Sequence, residues 1–293
     1  MANFLKCLVF VVTLSSIVSC KKERDGKTVQ ANNALFVHEQ LYSKTVADTF
    51  SIAISLPEGY DPNGKEKYPV VYLLDANLYF DIAATSYKKY AEIGLTKPVI
   101  LVGIGYKGLA EMDSLRSRDY TYPKALPEYE MAVSGGANRF LSFLDTELLP
   151  HIDQNYKTDT NKRILMGHSL GGYCTAYALL QQLKNINTVF TGFIAASPSL
   201  HYNNYYLFSE LKKLQQAEHG PVLKAYFTHG GLEDNEDDNE PGLLKSNEEA
   251  ALLNTYLGDQ ENVAFKLDTY SGLGHMDTPV PTFIKGLQWC LGD

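Results

Sequence analysis

Short apolar runs alternate with amphipathic stretches along most of this chain, which indicates strands and helices in regular succession. The predicted strands are Phe50–Leu56, Tyr68–Asp75, Val99–Gly105, the run that ends at Met166, Thr188–Ala195, Val222–Thr228 and Val263–Leu267. The predicted helices are Leu78–Ile93, Ala137–Ile152, Tyr173–Leu183, Tyr205–Glu218, Glu248–Leu257 and Val280–Leu291. Continuous β-branched and apolar runs are typical of parallel strands that are covered on both faces. The pattern therefore predicts a mainly parallel central sheet with helices on both faces.

Two long stretches do not fit this alternation. Lys107–Gly136 is polar and aromatic, and Glu233–Gly242 is acidic. Long irregular segments inside a domain are usually functional loops. Both stretches follow predicted strand ends, where ligands bind in folds of this kind.

The first residues have the composition of an export signal. Residues 1–19 contain one lysine, an apolar core and then small residues, so they predict a signal peptide that is too short to span a membrane. The end of this segment, Ile17-Val18-Ser19-Cys20, is similar to a bacterial lipobox, in which Cys20 is acylated and becomes the mature N-terminus. The alternative is an ordinary cleavage site beside an accidental cysteine. We expect a lipid-anchored protein of the bacterial cell envelope, on the periplasmic face or the cell surface.

The rest of the chain divides into a tether and one domain. Residues 20–33 are polar and lack proline, as expected of a linker that holds a domain off the membrane. Residues 34–293 then form one α/β domain, a common size for this class. Cys174 and Cys290 are expected to be free buried thiols, since Cys174 lies among core positions of a predicted helix. The net charge of −8 and the lack of a basic cluster in the domain exclude a nucleic-acid partner. The sequence gives no oligomeric state.

A serine flanked by glycines follows one apolar run directly. In Gly167-His168-Ser169-Leu170-Gly171-Gly172 the glycines remove side-chain clashes at a sharp turn between a strand and a helix. This is the nucleophile elbow of α/β-hydrolases, which exposes the serine hydroxyl at the carboxyl end of the sheet. The alternative is a glycine-rich helix start without chemistry. The strand before the motif and the helix after it favour a catalytic Ser169.

A serine nucleophile needs a histidine base and an acid that orients it. In this fold the order along the chain is serine, acid, histidine, and His275 is the histidine that follows the last predicted strand, in a glycine-containing loop. The acid is expected after strand Val222–Thr228, where Glu233 is nearest to the strand. Asp234 and Asp237 are alternatives, and the acidic cluster could instead be a solvated loop.

The oxyanion that forms during acyl transfer needs two backbone amides. One is predicted to be the amide of Leu170, at the start of the helix that follows the elbow. The other is predicted to come from Ala76 or Asn77, in the loop after strand Tyr68–Asp75. This chemistry needs no metal and no organic cofactor.

Segments from about Phe50 to Trp289 match the hallmarks of a known family. They are Val71–Asp75 with Tyr79 and Phe80, Arg116–Thr121, Phe140–Tyr156, the elbow, Ala196–Leu200, Gly231–Glu233 and Gly274–Met276. The chain thus resembles the esterases related to enterochelin (enterobactin) esterases and S-formylglutathione hydrolases. The resemblance implies an α/β-hydrolase fold and ester hydrolysis by Ser169, Glu233 and His275. One departure is Leu74-Asp75-Ala76, where the family usually has Leu-Asp-Gly.

Arg116, Arg118 and Tyr120 have two interpretations. The arginines could bind an anionic or catechol-bearing substrate, or they could form internal ion pairs with Asp119 or Asp113 that fix the loop. Tyr120 could line an aromatic cleft or lie there by chance.

The predicted function is hydrolysis of a small-molecule or glycan ester, with a siderophore ester or a polysaccharide-linked ester as the substrate. The same residues would serve an acyltransferase. A binding lipoprotein without turnover is the alternative from another class, although no triad residue is missing.

Overall fold

Eight strands form one sheet at the centre of the computed structural model, which describes residues 36–184, 190–214, 221–236 and 243–292. The strands are β1 (Val37–Ser43), β2 (Asp48–Ser55), β3 (Tyr68–Leu73), β4 (Ile100–Gly105), β5 (Thr158–His168), β6 (Gly192–Ala196), β7 (Leu223–Gly230) and β8 (Val263–Tyr270). Their order in the sheet is β1-β2-β4-β3-β5-β6-β7-β8. The pairs β1–β2 and β2–β4 are antiparallel, and every other neighbouring pair is parallel.

Helices cover both faces of this sheet. They are α1 (Ala76–Glu92), α2 (Leu109–Tyr120), α3 (Ala137–Phe143), α4 (Leu149–Asn155), α5 (Leu170–Leu183), α6 (Tyr202–Leu211), α7 (Glu233–Glu236), α8 (Ser246–Leu257) and α9 (Pro279–Leu291). A short π-helix at Leu144–Leu148 joins α3 to α4, so the predicted helix Ala137–Ile152 is continuous in outline. The predicted mainly parallel sheet with helices on both faces is confirmed.

Two apolar layers lie on opposite sides of the sheet. Along β3, Val70 and Tyr72 belong to one layer, whereas Val71 and Leu73 belong to the other. Successive side chains of a strand point to opposite faces, so a strand buried on both sides must be apolar at every position. Helices α2 to α6 and α8 pack on the first layer, and α1 and α9 pack on the second.

Parallel pairing brings the carboxyl ends of six strands to one edge of the sheet. Strands β4, β3, β5, β6, β7 and β8 all end there, each followed by a turn or loop. Residues that are far apart in the sequence therefore meet at this edge, which is where α/β folds bind their ligands.

Three elements differ from the sequence prediction. The short helix α7 lies within the stretch Glu233–Gly242 that we predicted to be irregular. Strand β1 was not predicted, because it is an edge strand with mostly exposed or half-exposed side chains and has little apolar signal. Helix α2 lies within the stretch Lys107–Gly136 that we predicted to be irregular. Its inward side chains include charged groups held in ion pairs, so the apolar spacing that marks an amphipathic helix is missing.

The predicted signal peptide (1–19), Cys20 and the tether (20–33) lie outside the described residues. The described residues belong to one compact unit, Leu35–Asp293. Within them, no helix is both long and apolar enough to cross a membrane. Cys174 and Cys290 are both free thiols, as predicted, but only Cys174 is fully buried.

Candidate active site

Ser169 occupies the sharp turn between β5 and α5. Its backbone has φ 58° and ψ −120°, a strained conformation for a residue with a side chain. A Cβ at Gly167 would overlap the backbone of Gly171, and a Cβ at Gly171 would lie 2.9 Å from Oδ2 of Asp75. The two glycines thus allow the strand and the helix to approach closely enough to hold this turn. The Ser169 amide is fixed to the end of β6 through the carbonyl of Ala196, at 3.0 Å.

The serine opens into a cavity of about 420 Å³ at the carboxyl edge of the sheet. Its lining is mainly polar and titratable: Ser169, Pro198, Ser199, His201, Tyr205, His229, Glu233, Asp234, Leu243, Leu244, Ser246, Glu249, His275 and Met276. A more apolar pocket of about 180 Å³ lies elsewhere, between α1 and the ends of β2 and β4, and contains none of the predicted catalytic residues. We therefore treat the cavity at Ser169 as the candidate site.

His275 and Glu233 are in direct contact in this cavity. Nδ1 of His275 lies 2.9 Å from Oε2 of Glu233. Glu233 is at the start of the short helix α7 after β7, and His275 is in the loop after β8, so adjacent parallel strands bring them together. Nδ1 donates to the carboxylate, so in the neutral ring the lone pair is on Nε2, as a base requires.

The carboxylate of Glu233 is held in its charged form. Burial alone would raise its pKa, but hydrogen bonds from His275, the Ser197 hydroxyl and the Gly230 amide outweigh burial and lower the pKa. Ser197 Oγ donates to Oε1 of Glu233 at 2.6 Å, and the Gly230 amide donates to the same oxygen. Each carboxylate oxygen thus has a donor, so the acid is fixed in position as well as ionised.

Ser197 is a site residue that the motif analysis did not assign. It follows β6 directly and has φ 38°. Its hydroxyl contacts Thr278 Oγ1 at 2.7 Å as well as Glu233, and Thr278 Oγ1 donates to the His275 carbonyl at 3.1 Å. Its position at a strand end beside the elbow strand is the signal that could have identified it.

His168, at the end of β5, contacts the loop that carries His275. Nε2 of His168 lies 2.9 Å from the backbone carbonyl of His275, and Nδ1 lies 3.0 Å from the Tyr79 hydroxyl. A carbonyl only accepts, so Nε2 carries the proton and Nδ1 accepts from Tyr79. His168 is thus a neutral positioning group that anchors His275 to β5.

The buried, neutral His168 should make the fold less stable in mild acid, because this histidine binds a proton more readily in the unfolded chain. Burial, followed by the nearby His275, lowers the pKa of His168 to about 3, against about 6.5 in an unfolded chain. Between these values the unfolded chain binds more protons, so stability falls as pH falls. We expect this residue to lower the free energy of unfolding by about 2 kcal/mol between pH 7 and pH 5, as measured by urea denaturation.

His168→Gln should reduce that pH dependence, and His38→Gln, at an exposed position, should leave it as in the wild type. An unchanged difference between pH 7 and pH 5 in His168→Gln would contradict a neutral, buried His168.

Ser199 is the described hydrogen-bond partner of the Ser169 hydroxyl, with the two oxygens 3.2 Å apart. The Ser199 amide also donates to the Ser169 carbonyl at 3.2 Å. The turn after β6 therefore orients the elbow serine at both its side chain and its backbone.

The two alternative acids have different outcomes. Oδ1 of Asp234 accepts hydrogen bonds from the amide and the hydroxyl of Ser246, at 2.8 and 2.7 Å, so Asp234 anchors the start of α8. Asp237 lies outside the described residues. Of the described candidates, Glu233 is the one that contacts His275.

The predicted oxyanion donors lie at two helix starts. Leu170 is the first residue of α5, and Ala76 and Asn77 are the first two residues of α1. Asp75, which precedes them, is in the left-handed conformation and lies beside Gly171. The side chain of Asn77 is hydrogen-bonded to the backbone N–H and carbonyl of Tyr106. The group of Asn77 that is a candidate for the oxyanion is therefore its backbone amide. The assignment of the second amide stays a prediction.

The arginines of α2 are engaged in internal ion pairs. Arg116 forms a bidentate pair with the fully buried Asp75, at 2.9 and 2.8 Å, whereas the sequence suggested Asp119 or Asp113 as the partner. Arg118 pairs with Asp119 and Asp48. Tyr120 is fully buried, and its hydroxyl accepts from the Asp75 amide at 3.3 Å. None of Arg116, Arg118 and Tyr120 lines the cavity, so the structural interpretation fits them better.

Within the part of the chain that the structure describes, no three His, Cys, Asp or Glu side chains are arranged to hold a metal ion. The chemistry on offer at this edge is that of a serine, a histidine and a carboxylate in sequence.

Comparison with known proteins places the chain in context. A family model described as "Putative esterase" matches residues 43–269. The ferri-bacillibactin esterase BesA of Bacillus subtilis is 36% identical over 169 residues, which cover 54% of this chain and 56% of that protein. The alignment therefore spans little more than half of that relative.

Two further relatives extend over more of the chain. The apo-salmochelin esterase of Escherichia coli is 24% identical over 258 residues, which cover 82% of this chain and 76% of that protein. The solved structure of the siderophore hydrolase EstB from Aspergillus nidulans has a TM-score of 0.72 at 20% identity, covering 87% of this chain and 93% of that one. This likeness, together with the strand order, confirms the predicted α/β-hydrolase fold.

Proposed function

Because the chain belongs to the esterase family whose model matches residues 43–269, we propose that it hydrolyses carboxylic esters with Ser169 as the nucleophile. The observation that carries the proposal is the 2.9 Å contact between His275 Nδ1 and Glu233 Oε2, in the cavity that Ser169 also lines. A base oriented by a carboxylate beside a strained serine is the arrangement that activates a hydroxyl for acyl transfer.

In the first step, Nε2 of His275 takes the proton of Ser169 as the serine oxygen attacks the ester carbonyl. Glu233 stabilises the imidazolium that forms, and its own pKa, lowered by hydrogen bonds, keeps it ionised. The amide of Leu170 and that of Ala76 or Asn77 would bind the negative oxygen, as backbone donors at helix starts. His275 then gives its proton to the departing alcohol, and an acyl-serine remains.

In the second step, water replaces the alcohol. His275 takes a proton from the water, which attacks the acyl-serine carbonyl, and the same amides bind the second oxyanion. The bond between the carbonyl carbon and the serine oxygen then breaks. His275 returns the proton to the serine oxygen, and the acid is released.

For the substrate we propose an ester of the siderophore class. The named relatives from Bacillus subtilis and Escherichia coli are esterases of ferri-bacillibactin and apo-salmochelin. The cavity of about 420 Å³ is within the range of small-molecule sites, and its polar lining suits a substrate with many hydrogen-bonding groups.

A substrate panel tests this assignment. We expect kcat/KM for a siderophore trilactone to exceed that for feruloyl, acetyl-sugar and thiol esters by about tenfold or more, because the trilactone offers the most hydrogen-bonding groups to the polar lining of the cavity. Products are separated by chromatography, with heat-inactivated protein as the control. A preference for acetylated sugars would contradict the siderophore assignment. Transfer of the acyl group to an added alcohol in place of water would identify an acyltransferase.

We propose that the mature protein is anchored to a membrane of the cell envelope through acylated Cys20. The proposal rests on the apolar segment and lipobox-like residues at positions 1–20. Cys20→Ser should move the protein from the membrane fraction to the soluble fraction on cell fractionation. Cys174→Ser, which changes a buried thiol in α5, is the matched control and should stay with the membranes. Unchanged fractionation of Cys20→Ser would refute the anchor.

A further inference from the structure

A buried histidine beside the candidate triad has no role in the reaction described above. His229 lies near the end of β7, and its side chain is only 3% exposed although it lines the cavity. Among the described residues, Nε2 of His229 has no hydrogen-bond partner. Buried polar groups are almost always hydrogen-bonded, so an unpaired one in a cavity wall points to a ligand.

Among the residues that the structure describes, the nearest charged group to this nitrogen is the carboxylate of Glu249. Oε2 of Glu249 lies 3.9 Å from Nε2 of His229, and the Glu249 side chain is 11% exposed. Glu249 is in the first turns of α8, whose start is fixed to α7 by the hydrogen bonds between Asp234 and Ser246. Helix α7 also carries Glu233. The hydrogen bonds between α7 and α8 therefore hold Glu249 in a set position relative to the triad.

The distance between Nε2 of His229 and Oε2 of Glu249 limits the size of a group that could bridge them. A distance of 3.9 Å is too long for a direct hydrogen bond but less than two hydrogen-bond lengths. One oxygen at about 2.8 Å from each atom fits between them. A hydroxyl can donate to the carboxylate and accept from an Nε2–H group at the same time, whereas a carbonyl or ether oxygen cannot donate.

Charge and burial exclude the other common groups. The cavity lining includes the carboxylates of Glu233, Asp234 and Glu249 and, among the described residues, no lysine or arginine. An anionic group between the pair would be repelled by Glu249. Burial lowers the pKa of His229 and so favours its neutral form. A cationic ligand would have to be desolvated almost completely, which costs far more than burying a neutral hydroxyl.

We propose that His229 and Glu249 form a subsite that binds a hydroxyl group of the substrate and thereby selects hydroxylated esters. The subsite rests on the proposed function, because it places the hydroxyl next to the triad that cleaves the ester. It acts on specificity and contributes no group to the reacting atoms.

The test compares p-nitrophenyl hexanoate with its 3-hydroxy, 6-hydroxy and 6-amino derivatives. We expect kcat/KM of the wild type for at least one hydroxylated ester to exceed that for hexanoate by about tenfold. Glu249→Met has a similar length but no acceptor, so this ratio should fall to about one. Glu249→Gln, a neutral acceptor, should give an intermediate ratio because charge-assisted hydrogen bonds are about twice as strong as neutral ones.

Glu261→Met is the matched control, since Glu261 is exposed and lies outside the cavity, and it should keep the wild-type ratio. Thermal melting checks that each variant is folded. The subsite would be overturned, with the esterase activity intact, by a wild type that hydrolyses hexanoate and the hydroxylated esters with equal kcat/KM. It would also be overturned if Glu249→Met left the wild-type preference for the hydroxylated ester unchanged. A preference for the 6-amino ester that is lost in Glu249→Met would assign the pair to a cation and also overturn it. A wild type that cleaves none of these esters would contradict the proposed function itself.

Discussion

Ser169→Ala is expected to lower kcat for p-nitrophenyl acetate by a factor of about 10³ or more, with the fold intact. The hydroxyl is the group that forms the acyl-enzyme, and loss of a triad member typically costs several orders of magnitude, with a small residual rate from the remaining groups. Alanine retains a Cβ at φ 58°, so the strain of the turn stays as it is and stability should change little. Release of p-nitrophenol and thermal melting measure the two effects.

The control for this substitution is Ser271→Ala, at an exposed position of the loop that carries His275. It should retain wild-type kcat. Activity of Ser169→Ala above about 1% of the wild type would rule out Ser169 as the nucleophile.

Much of the site could be predicted from the sequence because its signals are local. The glycines around Ser169 mark a turn that few other residues allow, and a histidine after the last strand is easily recognised. From the residues alone, Glu233 was favoured because it is the acid nearest to a strand end. The sequence left Asp234 open as an alternative acid. The structure distinguishes the two, because Glu233 contacts His275 whereas Asp234 contacts Ser246.

The remaining features depend on contacts between residues far apart in the chain. Arg116 pairs with Asp75, which is 41 positions away, and the sequence suggested nearer acids because adjacent charges are the simplest partners. The contact of His168 with the His275 carbonyl spans 107 positions. No spacing rule reports such contacts, because they arise only when parallel strands bring their ends to one edge.

Helix α2 shows the same limit at the level of secondary structure. An apolar stripe predicts a helix only when its inward side chains are apolar. Here Arg116 and Asp119 face inward; Arg116 pairs with Asp75 outside the helix and Asp119 pairs with Arg118 of the same helix, so the helix has a polar composition. The sequence therefore indicated a loop where the packing supports a helix.

Glu233→Gln is expected to lower kcat/KM by a factor of about 10³ to 10⁴, while binding and fold are retained. A glutamine can keep a carbonyl oxygen toward the Gly230 amide and the Ser197 hydroxyl, the donors that now contact Oε1. Its NH₂ group would then point at Nδ1 of His275, where Oε2 now accepts. Because that group donates, Nδ1 would have to accept and the proton would lie on Nε2. An imidazole in this tautomer cannot take the proton of Ser169, so the loss should appear in kcat rather than in KM.

Asp237→Asn, the acid from the same segment that the sequence left open, is the matched comparison and should retain activity within about twofold. Both variants lose one negative charge, so a general effect of charge on the cavity would lower the two activities alike. The tautomer argument instead requires that only Glu233→Gln be impaired, since Glu233 is the carboxylate in contact with His275. A larger loss of kcat/KM in Asp237→Asn than in Glu233→Gln would reassign the acid to Asp237 and leave Glu233 as a positioning group for the turn after β7.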